Sequence, residues 1–277
     1  MRRELWENSS IYIAPLAVVA VALLAFSMSA IAGVWVKSLR LDSAQPREAL
    51  AMPYDITAGL LMLTCIIVRV FYCLDALHSE RRDRSILFWK SLPVSDLTTV
   101  LAKASIPLFV LPLLTFALTV AMQFIMLLLS SVILWGSGMS VAALSTKLSF
   151  HRMSLILLYH LLTAHALWPL PVYCWLLLVS GWVRRATFLW AALPVIAISG
   201  IEIIVFHTGH FAALFVLRLF GNAPAFASTP GAMFPTDPGT HILPGTFLRS
   251  PGLWLGLVVA ALFLAAAVRL RHKQGPN

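Results

Sequence analysis

The sequence predicts an all-α, polytopic membrane protein, and three observations carry that reading. Hydrophobic residues fill 60% of the 277 positions and charged ones only 11%, with a mean hydropathy of +0.89. A soluble domain averages about 25% charged residues, so too little charge is present to cover a water-exposed surface. Six apolar runs each reach the length of about 20 residues that a hydrocarbon core requires. Lys and Arg gather at the ends of those runs, where they act as topology determinants. That placement accounts for the net charge of +9 without a nucleic-acid partner.

Residues 1–10 are charged and carry Leu5 and Trp6, which suits a short N-terminal interfacial helix lying in the membrane plane. The spans then fall at about 12–36, 54–76, 101–134, 154–180, 187–206 and 251–270. The first follows Arg2 and Arg3 and contains Ala30, Ile31 and Ala32, a pattern shared with signal peptides. Its apolar run is much longer than a signal core of about 7–15 residues, so it is expected to remain as a helix. The third is long enough to tilt. The fourth holds Pro169 and Pro171, and a proline inside a helix removes one donor and clashes with the preceding turn, so a kink or break is expected there. Residues 1–277 thus read as one transmembrane domain.

With the N-terminus inside, the inner loops and ends hold Arg2, Arg3, Arg81, Arg82, Arg84, Lys90, Lys103, Arg184, Arg185, Arg269, Arg271 and Lys273. The outer set is smaller: Lys37, Arg40, Arg47, Lys147, Arg152, Arg218 and Arg249. The excess favours both termini in the cytoplasm. The segment 207–251 then lies outside. It contains Pro224, Pro230, Pro235, Pro238 and Pro244, which favour irregular backbone. The apolar stretch 211–220 is too short to span and reads as interfacial or re-entrant.

Sites for chemistry are sparse. The sequence contains no P-loop, no zincin motif and no nucleophile elbow. His207, His210, Asp237 and His241 share the outer loop, but short-range histidine pairs arise by chance and no metal site is predicted. Cys65, Cys73 and Cys174 all fall within apolar runs and suggest no disulfide framework. An enzyme is not expected. Small residues recur every four positions at Ala25, Ser29 and Gly33 and at Gly252, Gly256 and Ala260, which allows close helix approach.

The most informative stretch lies between the second and third spans. Glu80, Arg81, Arg82, Asp83 and Arg84 form a charge cluster, in which Glu80 and Arg84 stand at the i, i+4 spacing that supports a helix. Ser85 follows, then Ile86, Leu87, Phe88 and Trp89 without interruption, and Pro93 stops the element. Ser95 or Asp96 is placed to cap the next helix. Aromatic residues and Arg are the usual anchors of protein interfaces, so this segment reads as a docking element for a cytoplasmic protein. The alternative is an amphipathic helix that only rests at the interface.

These residues resemble the loop between the second and third spans of ABC-2 type transporter permeases. There an acidic-arginine cluster precedes Ser or Thr, an apolar stretch and an ending like Leu92, Pro93, Val94 and Ser95. The plan of an interfacial N-terminal helix, six spans and an outer element between the fifth and sixth is similar too. The resemblance implies a membrane subunit of an exporter in a bacterial inner membrane, paired with a second permease copy. It also implies a separate ABC ATPase subunit that binds ATP and magnesium, so this chain needs no cofactor of its own. The segment 78–96 would form a coupling helix seated in the ATPase, with Glu80, Arg81, Arg82, Arg84, Phe88 and Trp89 as the coupling residues. A membrane scaffold or assembly factor that docks a cytoplasmic protein without transport is the alternative.

Ionisable residues inside spans are the other leads. Arg69 lies in the second span and Glu202 in the fifth. Such a group costs about 2.5–3.5 kcal/mol on insertion scales, so it either faces a partner or wet cavity or snorkels to the nearest interface. The two lie toward opposite ends of their spans and are not expected to pair. Gln123, with His160 and His165 as weaker cases, is a further candidate for a pathway or helix-contact role. The apolar spans do not reveal the substrate.

Overall fold

The computed structural model describes residues 8–33, 46–82, 95–136, 150–220 and 244–273. Among these residues the structure is helices joined by short turns, with no strand. Helix α1 runs Ser10–Ile31, α2 Pro46–Asp75 and the short α3 His78–Arg82. Helix α4 (Asp96–Ser105) passes through a π-helical turn, π1 (Ile106–Val110), into α5 (Leu111–Gly136). Helix α6 (Phe150–Leu162) similarly enters π2 (Thr163–Leu167), and α7 follows at Leu170–Trp182. Then come α8 (Thr187–Phe206), α9 (His210–Phe220), α10 (Pro244–Arg249) and α11 (Pro251–Lys273).

Five helices are long and apolar enough to cross a membrane, six if the bent pair α6–α7 is one span. That pair bends by 45° at Pro169, where the sequence predicts a kink. Two of the expected spans nearly coincide with helices, 187–206 with α8 and 251–270 with α11. The third is longer than its expected start at 101, because α4 begins at Asp96. Ser95 caps it as anticipated, with Oγ accepting from the Thr98 amide at 3.2 Å. Residues 1–7, on which the interfacial helix is expected, and 221–243 of the outer segment lie outside the described residues.

Helix α2 is the central post, with 61% of its most apolar window buried, against 6% for α8. It packs on α1, α5 and α7, and α7 packs in turn along α11. Cys65, Tyr72 and Cys73 of α2 meet Ile106 of π1 and Tyr173 and Leu176 of α7 in the largest apolar cluster. A second cluster joins α1 to α2, α5 and α6 through Phe26, Tyr54, Met122 and Met153. Tyr54 also hydrogen-bonds Ser130 at 2.9 Å, locking α2 to α5 near one end of the bundle.

The π turns have a covalent cause. Pro107 lies at the second position of π1 and Pro112 just beyond its end; neither has an N–H to give, and each ring crowds the turn before it. The backbone widens by one residue, so the Leu111 amide reaches back to the Ile106 carbonyl. In π2 the Trp168 amide reaches the Thr163 carbonyl at 2.9 Å, immediately before Pro169.

Candidate functional site

Two polar assemblies stand out in this apolar bundle. The first holds both ends of the segment 78–96. After α2 ends, Ser180 of α7 accepts the amides of Leu77 and His78, each at 3.0 Å. The His78 ring contacts the Val183 carbonyl at 3.3 Å. Packing here is close, since a Cβ on Gly181 would stand 3.2 Å from Leu77 Cδ1. Lys103 Nζ donates to the Ala76 carbonyl at 2.6 Å, placing a cation at the end of α2 where the helix dipole favours one.

The same ammonium pairs with Glu80 at 3.2 Å, and the other Glu80 oxygen pairs with Arg271 Nη1 at 2.5 Å. Arg271 Nε in turn bonds Asp96 at 3.1 Å, and the exposed His272 ring lies 3.5 Å from the second Asp96 oxygen. Glu80, Lys103 and Arg271 are all buried. One guanidinium on the last helix therefore grips Glu80 within α3, shortly before the connecting segment leaves it, and Asp96, where the segment enters α4.

Of the coupling residues expected from the sequence, Glu80 is thus committed to ion pairs inside the chain. Arg81 and Arg82 lie in α3. Arg84, Phe88 and Trp89 lie outside the described residues. Neither Lys103 nor Arg271 stands out in the sequence as a site residue. The signal for Lys103 was a cation just inside the start of an expected span; nothing local pointed Arg271 toward Glu80.

The second assembly surrounds Arg69, which does not snorkel: it is 0% exposed. Its Nη1 donates to the His165 carbonyl and stands 3.5 Å from the Tyr173 hydroxyl, whose ring lies 5.9 Å from the guanidinium carbon. That carbonyl is available because its helical donor would be the amide of Pro169, which proline lacks. Four residues earlier on α2, the Cys65 thiol lies 3.8 Å from the Leu111 carbonyl, where π1 ends. One face of α2 therefore touches the two π turns, and those turns pack on each other. Among the described residues, Nε and Nη2 of Arg69 have no partner, nor does Nδ1 of His165. The His160 ring is 6.1 Å from that of His165. Among the described residues no carboxylate pairs with Arg69. An unneutralised charge sealed in an apolar interior is among the costliest arrangements a protein can hold.

The remaining leads separate. Glu202 caps α9: its oxygens accept from the His210 and Phe211 amides at 2.8 Å each and from the Thr208 hydroxyl at 3.0 Å. His207, at φ 51, turns the chain between α8 and α9. His241 and Asp237 lie outside the described residues. Gln123 is fully buried on α5, and neither end of its amide has a partner among the described residues.

Helix α9 is held by Arg218, which donates to the Trp168 carbonyl at 3.1 Å and to the Gly252 carbonyl. It also stacks 4.0 Å from the Trp168 ring centroid. Burial there pulls its pKa below the ordinary arginine value. Gly252 and Gly256 admit this side chain, since a Cβ on Gly256 would lie 2.7 Å from Nη1. That small-residue stripe therefore serves a contact within the chain.

No family model matches the chain, and no curated protein or solved structure matches it.

Proposed function

We propose that the chain is the membrane-spanning subunit of an ABC-2 type exporter, driven by ATP hydrolysed on a separate ATPase subunit. The observation that carries this reading is the clamp on the segment 78–96. Its sequence has the pattern of a coupling helix, and its two ends are bonded through Arg271 to the last helix. A push on residues 83–94 reaches Glu80 and Asp96 together. From there it passes to α11 through Arg271, to α4 through Lys103, and to α7 through Ser180. Rigid helices linked by such bonds move as bodies instead of deforming.

In this reading the chain sits in a bacterial inner membrane with both termini in the cytoplasm and works beside a second permease copy. ATP and magnesium belong to the ATPase. Glu80 orients the coupling segment from within, and Arg81, Arg82, Arg84, Phe88 and Trp89 are the proposed contacts with the partner. Helix α9 is the outer element, re-entrant or interfacial, held to the broken fourth span by Arg218.

The test is affinity capture of the tagged chain from its native host in mild detergent, with mass spectrometry and an ATPase assay of the eluate. A stoichiometric P-loop subunit is expected, and it should be lost from Trp89→Ala and Arg82→Glu chains that still insert and fold. Recovery with a non-ATPase partner would replace transport by scaffolding.

A further inference from the structure

Arg69 presents an unused edge. Nη1 is occupied by the His165 carbonyl, and Nε and Nη2 have no partner among the described residues. On a guanidinium these two nitrogens point their hydrogens in parallel along one side, the fork that fits both oxygens of a carboxylate or two oxygens of a phosphate. The edge is fully enclosed and no carboxylate of the described residues neutralises it. His165, whose carbonyl holds Nη1, is itself buried, and its Nδ1 has no partner among the described residues. Water would satisfy the hydrogen bonds but not the charge. An oxyanion would satisfy both.

The surroundings supply a way in. The side chains of Cys65 and Arg69 hold α2 to carbonyls at π1 and π2. These are the least regular turns of their helices, each with a proline within it or two residues beyond it, and π turns of this kind collect at functional positions. Parting α2 from them exchanges one guanidinium–carbonyl bond, one weak thiol contact and the apolar packing of α2 on Ile106 and Leu111, and leaves the helical ladders on either side intact.

We propose that Arg69, with His165 beside it, is an oxyanion-binding site inside the membrane domain, filled by a single phosphate or carboxylate group when α2 parts from the two π turns. The group arrives either on a lipid headgroup or on a small solute. The site belongs to this chain alone, so its existence does not depend on the exporter reading.

The experiment measures thermal unfolding of the purified full-length chain in nanodiscs, followed by tryptophan fluorescence. Three probes are compared with sodium chloride at equal ionic strength: inorganic phosphate, acetate, and phosphatidylglycerol replacing part of a phosphatidylcholine bilayer. At roughly tenfold saturation the unfolding temperature of the native sequence should rise by about 3–5 °C. A rise with phosphate or acetate assigns a solute anion; a rise with phosphatidylglycerol alone assigns a headgroup. Arg69→Met should abolish the rise. Tyr173→Glu, which places a tethered carboxylate near the guanidinium, should abolish it too while retaining Arg69. It keeps the test decisive if Arg69→Met does not fold. No rise with any probe, or an undiminished rise in either variant, overturns the proposal.

Discussion

Replacing Glu80 by Gln tests the clamp most directly. The substitution keeps shape and removes one charge from between two buried cations. At an effective dielectric of about 20, a pair at the 3.2 Å of Lys103 is attracted by about 5 kcal/mol before desolvation is counted. The pair with Arg271, at 2.5 Å, is worth more by the same arithmetic. Much of this offsets the cost of bringing all three groups out of water, so the gross attraction is not the stability at stake. What remains after the substitution is two buried cations, one still bonded to the Ala76 carbonyl and the other to Asp96. Breaking a buried pair in this way costs about 3–5 kcal/mol. For a chain of this size that corresponds to a fall of about 10 °C in unfolding temperature. Asp96→Asn should cost far less, about 1 kcal/mol, because the Asp96 side chain is 22% exposed and water screens it. Tryptophan fluorescence in detergent micelles reads both, and the double variant with Arg271→Met should show strong non-additivity. A Glu80→Gln chain that melts within about 1 °C of the native one, or equal losses at Glu80 and Asp96, would refute the reasoning.

Two further outcomes follow from unpartnered or singly held groups. Ser180→Ala leaves the Leu77 and His78 amides without their acceptor; an orphaned buried donor costs about 1–3 kcal/mol, so hydrogen exchange at those two amides should accelerate by at least about tenfold while α2 stays protected. Gln123→Leu removes two buried polar atoms that have no partner at nearly constant volume, and should raise stability by about 1–2 kcal/mol, measured as an upward shift in thermal unfolding; a loss of stability would show that the amide is satisfied in the membrane.

Much of this architecture follows from the sequence alone, because a span is a local property. The length of an apolar run is compared with one external quantity, the thickness of a hydrocarbon core, so α8 and α11 lie close to where composition places them. Proline chemistry is local too: Pro169 and Pro171 predict the bend between α6 and α7, and Ser95 predicts its cap. The candidate site is legible only in part. Arg69, Glu202 and Gln123 are visible as polar residues in apolar runs, yet their fates diverge for reasons the runs do not contain. Glu202 finds amides eight and nine residues on. Gln123 finds nothing, and Arg69 is sealed against a carbonyl 96 residues away. Glu80 reads as an exposed docking charge until Arg271, 191 residues later, closes on it. Helical periodicity tells which residues share a face but not which helix that face meets. The pairing of charges across the bundle is therefore decided by packing, where burying one ion demands another beside it.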